Sequence, residues 1–119
     1  MSTKKDGENV DSPVKLEEKE GTLTAYIDCE IDHHTAKIIR EKIDSSLFLY
    51  KLHSLVLDFG AVGFMDSSGI GLILGRLSKC NELSIRLRIV NLSRALYKIV
   101  SLSGIERQSG IEIRQVEKR

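Results

Sequence analysis

Residues 55–77 read LVLDFGAVGFMDSSGIGLILGRL, and this stretch contains a strand, a loop and a helix in that order. Its first five residues are apolar except for Asp58 and show no alternation, which is typical of a central strand covered on both faces. The loop that follows ends at Asp66, and Asp is one of the best residues for capping a helix. Apolar residues then recur at helical spacing at Ile70, Leu74 and Leu77. A strand that leads through a loop into a helix is the unit of a parallel α/β sheet.

Similar units lie on both sides of this stretch. Upstream, residues 23–31 alternate apolar and polar side chains, as a strand with one buried face does, and Asp32 stands where the next helix would be capped. Downstream, residues 85–89 predict another strand, and Ser93 would cap a further helix that ends at Gly104. The alternation of strands and helices indicates parallel strands joined by crossovers.

The order of elements predicts an α/β fold, with a mostly parallel sheet of about five strands and helices packed on it. Short strands at each end, at 14–16 and 111–113, complete the sheet, and a turn near Gly21 predicts an N-terminal hairpin. Residues 1–12 are polar and predict a disordered lead. We therefore expect a single domain at 13–119.

Composition excludes several classes of function. Lys and Arg number 18 and Asp and Glu 17, so the net charge of +1 predicts no binding to nucleic acid or to a membrane surface. Cys29 and Cys80 are far apart in sequence and form neither a metal-binding pair nor a disulfide framework. With no secretory signal and no apolar run of membrane-spanning length, we expect a cytoplasmic protein without a cofactor.

Sites in parallel α/β sheets form beyond the C-terminal ends of the strands. Three loops should reach that edge, at 31–35, 60–69 and 91–93. Each leads into a helix N-terminus, whose N–H groups and dipole favour anions. The second loop carries the most polar residues and ends in the motif DSSG at 66–69.

A plain helix cap explains only part of this motif. It accounts for one polar residue, but not for the second serine or for Gly69 and Gly71, since glycine costs roughly 1 kcal/mol against alanine in a helix. Glycine would allow close approach by another part of the chain or by another molecule. The residues alone support a functional site and a structural cap equally.

Four stretches resemble the anti-sigma factor antagonists, a family of proteins with the STAS fold. They are EIDHHTA at 30–36, FMDSSGIG at 64–71, ILGR at 73–76 and LSGI at 102–105. The resemblance extends from about residue 14 to residue 113 and is strongest to the sporulation branch of the family. It implies the STAS arrangement of strands and helices.

The resemblance implies a switch protein and not an enzyme. Members of the family bind an anti-sigma factor that is also a serine kinase, and the sigma factor is thereby released. The kinase uses its own bound ATP to phosphorylate the first serine of DSSG, here Ser67, which ends the binding, and a PP2C-type phosphatase reverses the modification. The residues expected to bind the partner are Asp32, His34, Thr35, Met65, Asp66, Ser68, Gly69, Ile70 and Ser93.

The chain departs from the family pattern at its end, because it stops soon after Ile113 and the usual final helix is short or missing. We expect one side of the sheet to be less covered, and the protein to be a monomer or a weak dimer. His33 and His34 are adjacent and would point in different directions on a helix, so they predict no metal site.

Other interpretations stay open. A STAS module of a multiprotein stress-sensing scaffold would show the same motifs. A receiver-like phosphotransfer domain would use Asp66 as its phosphate acceptor, although the first strand is not followed by a convincing acidic cluster for Mg²⁺. A small-molecule binding module would use the same loop edge, but no motif supports it.

Overall fold

The computed structural model describes residues 12–116, which form a five-stranded sheet. The strands are β1 (Val14–Lys19), β2 (Thr22–Ile27), β3 (Ser54–Asp58), β4 (Arg86–Leu92) and β5 (Ile111–Gln115). β1 and β2 pair antiparallel as a hairpin, and every later neighbouring pair is parallel. The predicted α/β fold with its N-terminal hairpin is confirmed. The predicted disordered lead lies outside the described residues, apart from Ser12.

Three helices connect the parallel strands. They are α1 (His33–Leu49), α2 (Ser67–Glu82) and α3 (Arg94–Ser103), and a short 3₁₀ turn (Ile105–Arg107) follows α3. As the sequence predicts, α3 ends at Gly104, whose φ of 82° is a left-handed conformation that glycine adopts without strain. Within residues 12–116, no helix is long and apolar enough to cross a membrane.

The hydrophobic core lies on one face of the sheet. Two rows of strand residues pair across β2 to β5 and belong to the same cluster as the buried residues of all three helices. These rows are Leu23, Leu55, Leu87 and Ile111, and Ala25, Leu57, Ile89 and Ile113. The strand order never reverses, so right-handed crossovers place every connecting helix on this same face.

The opposite face differs from what the apolar run at 55–59 predicts. The intervening row consists of Thr24, Val56, Arg88 and Glu112, and Arg88 forms an ion pair with Glu112 at 3.4 Å. Val56 is outside the core cluster, so the second layer expected over this strand is not found among the described residues. Val56 is still only 8% exposed, because β3 is central and its neighbours flank it.

Candidate functional site

Two of the three predicted loops are joined at the C-terminal edge of the sheet. The backbone N–H of Ile31 donates to the carbonyl oxygen of Phe64 at 3.0 Å, and the N–H of Asp66 donates to the carbonyl oxygen of Ile31 at 3.1 Å. Ile31 and Met65 thereby form a parallel bridge outside the main strands. Asp32 and Asp66, the next residue in each loop, therefore begin α1 and α2 side by side.

Asp32 caps α1 through a reciprocal pair of hydrogen bonds, as its position in the sequence predicts. The Thr35 N–H donates to Asp32 Oδ1 at 2.9 Å, and the Asp32 N–H donates to Thr35 Oγ1 at 3.0 Å. The Thr35 hydroxyl in turn donates to the carbonyl oxygen of Glu30 at 2.8 Å. The hydrogen bond from the Thr35 backbone holds the pKa of Asp32 below its ordinary value of 3.8.

Asp66 caps α2 in a simpler way. Its Oδ1 accepts a hydrogen bond from the Ser68 N–H at 2.7 Å. Ser67, the first residue of α2, is exposed, and its hydroxyl has no hydrogen-bond partner in the part of the chain that the structure describes. The Ser67 Oγ is therefore accessible at the positive end of a helix dipole, where an added phosphate is tolerated.

Met65 and Gly69 are buried beneath this loop and pack against each other. Met65 is 2% exposed, and Gly69 is buried against it. A Cβ on Gly69 would lie 2.5 Å from Met65 Sδ and 3.2 Å from Met65 Cβ, so any larger residue here would force the buried Met65 side chain to move. Both residues are buried in the isolated chain, and a contact of either one with a partner stays a prediction.

The exposed part of the loop pair includes one residue that the sequence reasoning missed. His34 is exposed, and Ile70 is half-buried against the core. Phe64 is 53% exposed beside the Asp66 cap. The sequence signal for it is an aromatic residue in a glycine-containing loop, two residues before the start of the DSSG motif. Its ring lies next to the open end of the loop pair, where it adds apolar surface to the polar side chains.

The third loop is not hydrogen-bonded to this pair within residues 12–116. Ser93 caps α3 as predicted, since its Oγ accepts a hydrogen bond from the Leu96 N–H at 3.2 Å. Asn91 Nδ2 donates to Asp58 Oδ2 at 3.1 Å, and the Gly60 N–H donates to Asp58 Oδ1 at 2.8 Å. The third loop thus contacts the base of the second loop and not the caps of α1 and α2.

Metal and redox chemistry gain no support from the described part of the chain. No three His, Cys, Asp or Glu side chains there are grouped to hold a metal ion, which includes the surroundings of Asp66. Both cysteines are free thiols, and burial raises the pKa of Cys80 to about 11, so that thiol stays protonated.

Comparisons with known proteins identify a family and several relatives that this chain resembles. The model of the STAS domain family matches residues 13–118. An anti-sigma F factor antagonist of Paenibacillus polymyxa is 28% identical over 92 residues, which cover 77% of this chain and 79% of the relative.

Two solved structures of SpoIIAA are also similar to this chain. The anti-sigma factor antagonist SpoIIAA in its unphosphorylated form has a TM-score of 0.72 and 30% identity, covering 84% of this chain and 86% of that one. The Bacillus cell fate determinant SpoIIAA in its phosphorylated form has a TM-score of 0.66 and 30% identity, covering 84% and 89%. This chain therefore belongs to the STAS domain family and, within that family, is similar to the anti-sigma factor antagonists.

Proposed function

We propose that this protein is an anti-sigma factor antagonist whose state is set by phosphorylation of Ser67. In its unphosphorylated form it binds an anti-sigma factor that is also a serine kinase, and the sigma factor is released. The observation that carries the proposal is the accessible Ser67 hydroxyl at the start of α2. The likeness to an antagonist known in both unphosphorylated and phosphorylated forms supports it.

Ser67 suits the role of phosphate acceptor better than its neighbour. Ser68 is half-buried, whereas Ser67 is exposed. The kinase would transfer the γ-phosphoryl group of its ATP to the Ser67 oxygen, with ADP leaving and the hydroxyl proton released. The antagonist is then a ligand and a substrate, a PP2C-type phosphatase restores the serine, and the exchange takes place in the cytoplasm without a cofactor of its own.

The charge of the phosphate explains how the switch would act without refolding. A phosphoserine carries about −1.5 to −2 charges at neutral pH, and the N-terminus of α2 tolerates it because the helix dipole is favourable. The same charge would lie beside Asp66 and near Asp32, in an interface formed for a neutral serine. A 100-fold loss of affinity needs only about 2.7 kcal/mol.

The exposed and half-buried side chains of the joined loops form the proposed contact with the anti-sigma factor. They offer polar groups around a small apolar centre, which is the usual composition of a specific interface. This set consists of Asp32, His34, Thr35, Phe64, Asp66, Ser68 and Ile70. Met65 and Gly69 act by holding the loop in place.

The direct test measures release of a sigma factor. The purified protein is added to a preformed complex of the anti-sigma factor and sigma factor from the same genome, and the products are separated by size-exclusion chromatography. We expect unmodified protein to free the sigma factor, and protein phosphorylated by the same kinase to leave the complex intact. Absence of both release and binding by the unmodified protein would overturn the proposal, and elution in a very large particle would favour the scaffold interpretation.

A further inference from the structure

A groove runs between the outer sides of α1 and α2 and begins beside the Ser67 loop. Its volume is about 650 Å³. α1 contributes the exposed side chains of His33, Lys37 and Arg40, and α2 contributes Ser68 and two glycines. We call this surface the basic groove.

The two glycines of the basic groove have no internal explanation. A Cβ on Gly71 or on Gly75 would meet no atom within 4 Å, and neither residue has the left-handed backbone that favours glycine. Glycine weakens a helix relative to alanine, so each is a cost to α2. Gly69 differs, because its Cβ would collide with Met65. What Gly71 and Gly75 provide is a floor that another molecule can approach closely.

A buried donor in the groove wall indicates what kind of molecule this is. Arg76 lines the groove and is only 4% exposed. Its Nε lies 3.0 Å from Asp44 Oδ1, an ion pair by distance that lacks hydrogen-bond alignment, and its Nη1 has no hydrogen-bond partner in the described part of the chain. Buried polar groups are satisfied in nearly all native proteins. Nη1 itself is covered by protein, so what the guanidinium offers an occupant is its positive charge, which favours one with oxygen acceptors.

The charges around the groove point the same way. Lys37, Arg40 and Arg76 are cationic, and none of the lining residues is acidic. Lys37 and Arg40 form no ion pair within residues 12–116. The lining also contains no Phe, Tyr or Trp ring on which a base could stack, and the groove is open to solvent. An extended acidic stretch of protein fits this surface better than a nucleotide.

We propose that the basic groove binds an acidic segment of the anti-sigma factor, an inference that rests on the function proposed above. The segment would lie over Gly71 and Gly75, with its carboxylates facing Lys37 and Arg40. Its end at Ser68 would be next to the phosphorylation site. A phosphate on Ser67 would then repel the acidic segment directly. This repulsion would add to the effect of placing the phosphate charge beside Asp66.

The test compares two charge-reversed variants that carry the same change in net charge. One is Lys37→Glu with Arg40→Glu in the basic groove, and the matched control is Lys15→Glu with Lys19→Glu on the edge strand β1, where both lysines are exposed. Affinity for the anti-sigma factor is measured by isothermal titration calorimetry at two salt concentrations. We expect the groove variant to bind at least about 10-fold more weakly at low salt, and the control to stay within about 2-fold of wild type.

A neutral variant tests the floor of the groove independently. In Gly71→Leu the new side chain occupies the space over Gly71 where the acidic segment would lie. Because leucine favours the helix more than glycine does, the stability of α2 should not fall. We expect its affinity to fall by about 10-fold as well. If both groove variants bind as the control does while the wild-type complex forms, the groove proposal is wrong and the proposed function stands. If wild type forms no complex, both proposals fall.

Discussion

The two aspartates that begin α1 and α2 do the same structural job in different ways. Asp32 exchanges two hydrogen bonds with Thr35, and the Thr35 hydroxyl also donates to the carbonyl oxygen of Glu30, so the Thr35 hydroxyl is fully engaged. Asp66 accepts one hydrogen bond from Ser68 and leaves the Ser67 hydroxyl without a partner among residues 12–116. One cap is closed and the other is open.

The difference separates the parts of the loop pair by role. The closed cap holds the start of α1 in place. The Ile31–Met65 bridge then ties the second loop to this fixed end of α1. The open cap sits on this rigid support with an exposed serine at a helix N-terminus. A modification at the open cap can therefore change the surface without loosening the fold, and damage to the closed cap should do the reverse.

The largest expected effect is on binding, from an acidic residue at the open cap. We expect Ser67→Glu to lower the affinity for the anti-sigma factor by about 100-fold, or about 2.7 kcal/mol, because it places a charge in the interface. Ser67→Ala should bind as wild type does. Calorimetric titration of both variants measures this, and equal affinities for the two would contradict the electrostatic switch.

The second prediction concerns two glycines of α2 that differ in their surroundings. Gly69→Ala should lower the free energy of unfolding by about 1–3 kcal/mol, because the new methyl group overlaps Met65. Gly71→Ala should raise it by about 0.5–1 kcal/mol, because its Cβ meets open space and alanine favours the helix. Urea denaturation measures both values. Equal changes would mean that the packing under the open cap is looser than described.

Opening the closed cap should cost stability. Thr35→Val keeps the shape of the side chain but removes the hydroxyl that binds Asp32 and Glu30. We expect a loss of about 1 kcal/mol, which lowers the unfolding temperature by roughly 4 °C in a domain of this size. Ser67→Ala serves as the control and should unfold at the wild-type temperature. A larger shift in the control than in Thr35→Val would reverse the assignment of the two caps.

The smallest expected effect is a pH dependence that belongs to the closed cap. Because the folded state holds the pKa of Asp32 below its ordinary value of 3.8, the carboxylate contributes stability above that pH and loses it as the pH falls through the lower folded value. The stability difference between wild type and Asp32→Asn should therefore be constant near neutral pH and shrink below 3.8. Thermal unfolding at several pH values measures it, and a difference that grows in acid would contradict this sign.

The helix boundaries could be predicted because their causes are local. Asp32, Asp66 and Ser93 bond to N–H groups two or three residues ahead, and Gly104 takes a left-handed conformation that its own lack of a side chain permits. None of these features depends on distant parts of the chain. The same holds for the N-terminal hairpin around Gly21.

Features that depend on long-range pairing were harder to predict. The apolar run at 55–59 indicates a central strand, but the one-sided core follows from a strand order that never reverses. Met65 looks like a partner contact in sequence and is buried by its bridge to Ile31, a residue of a separate loop. Gly69 and Gly71 are indistinguishable as letters, and only the fold shows that one packs on the chain and the other faces open space.

The most direct test is the intact mass of the protein after incubation with Mg-ATP and the anti-sigma kinase from the same genome. Wild type, Ser67→Ala and the neighbouring control Ser68→Ala are compared. If the open cap is the switch, wild type and Ser68→Ala gain the mass of a single phosphoryl group and Ser67→Ala gains none. A phosphoryl group on Ser67→Ala, or its absence from wild type in the presence of an active kinase, would contradict the assignment of Ser67.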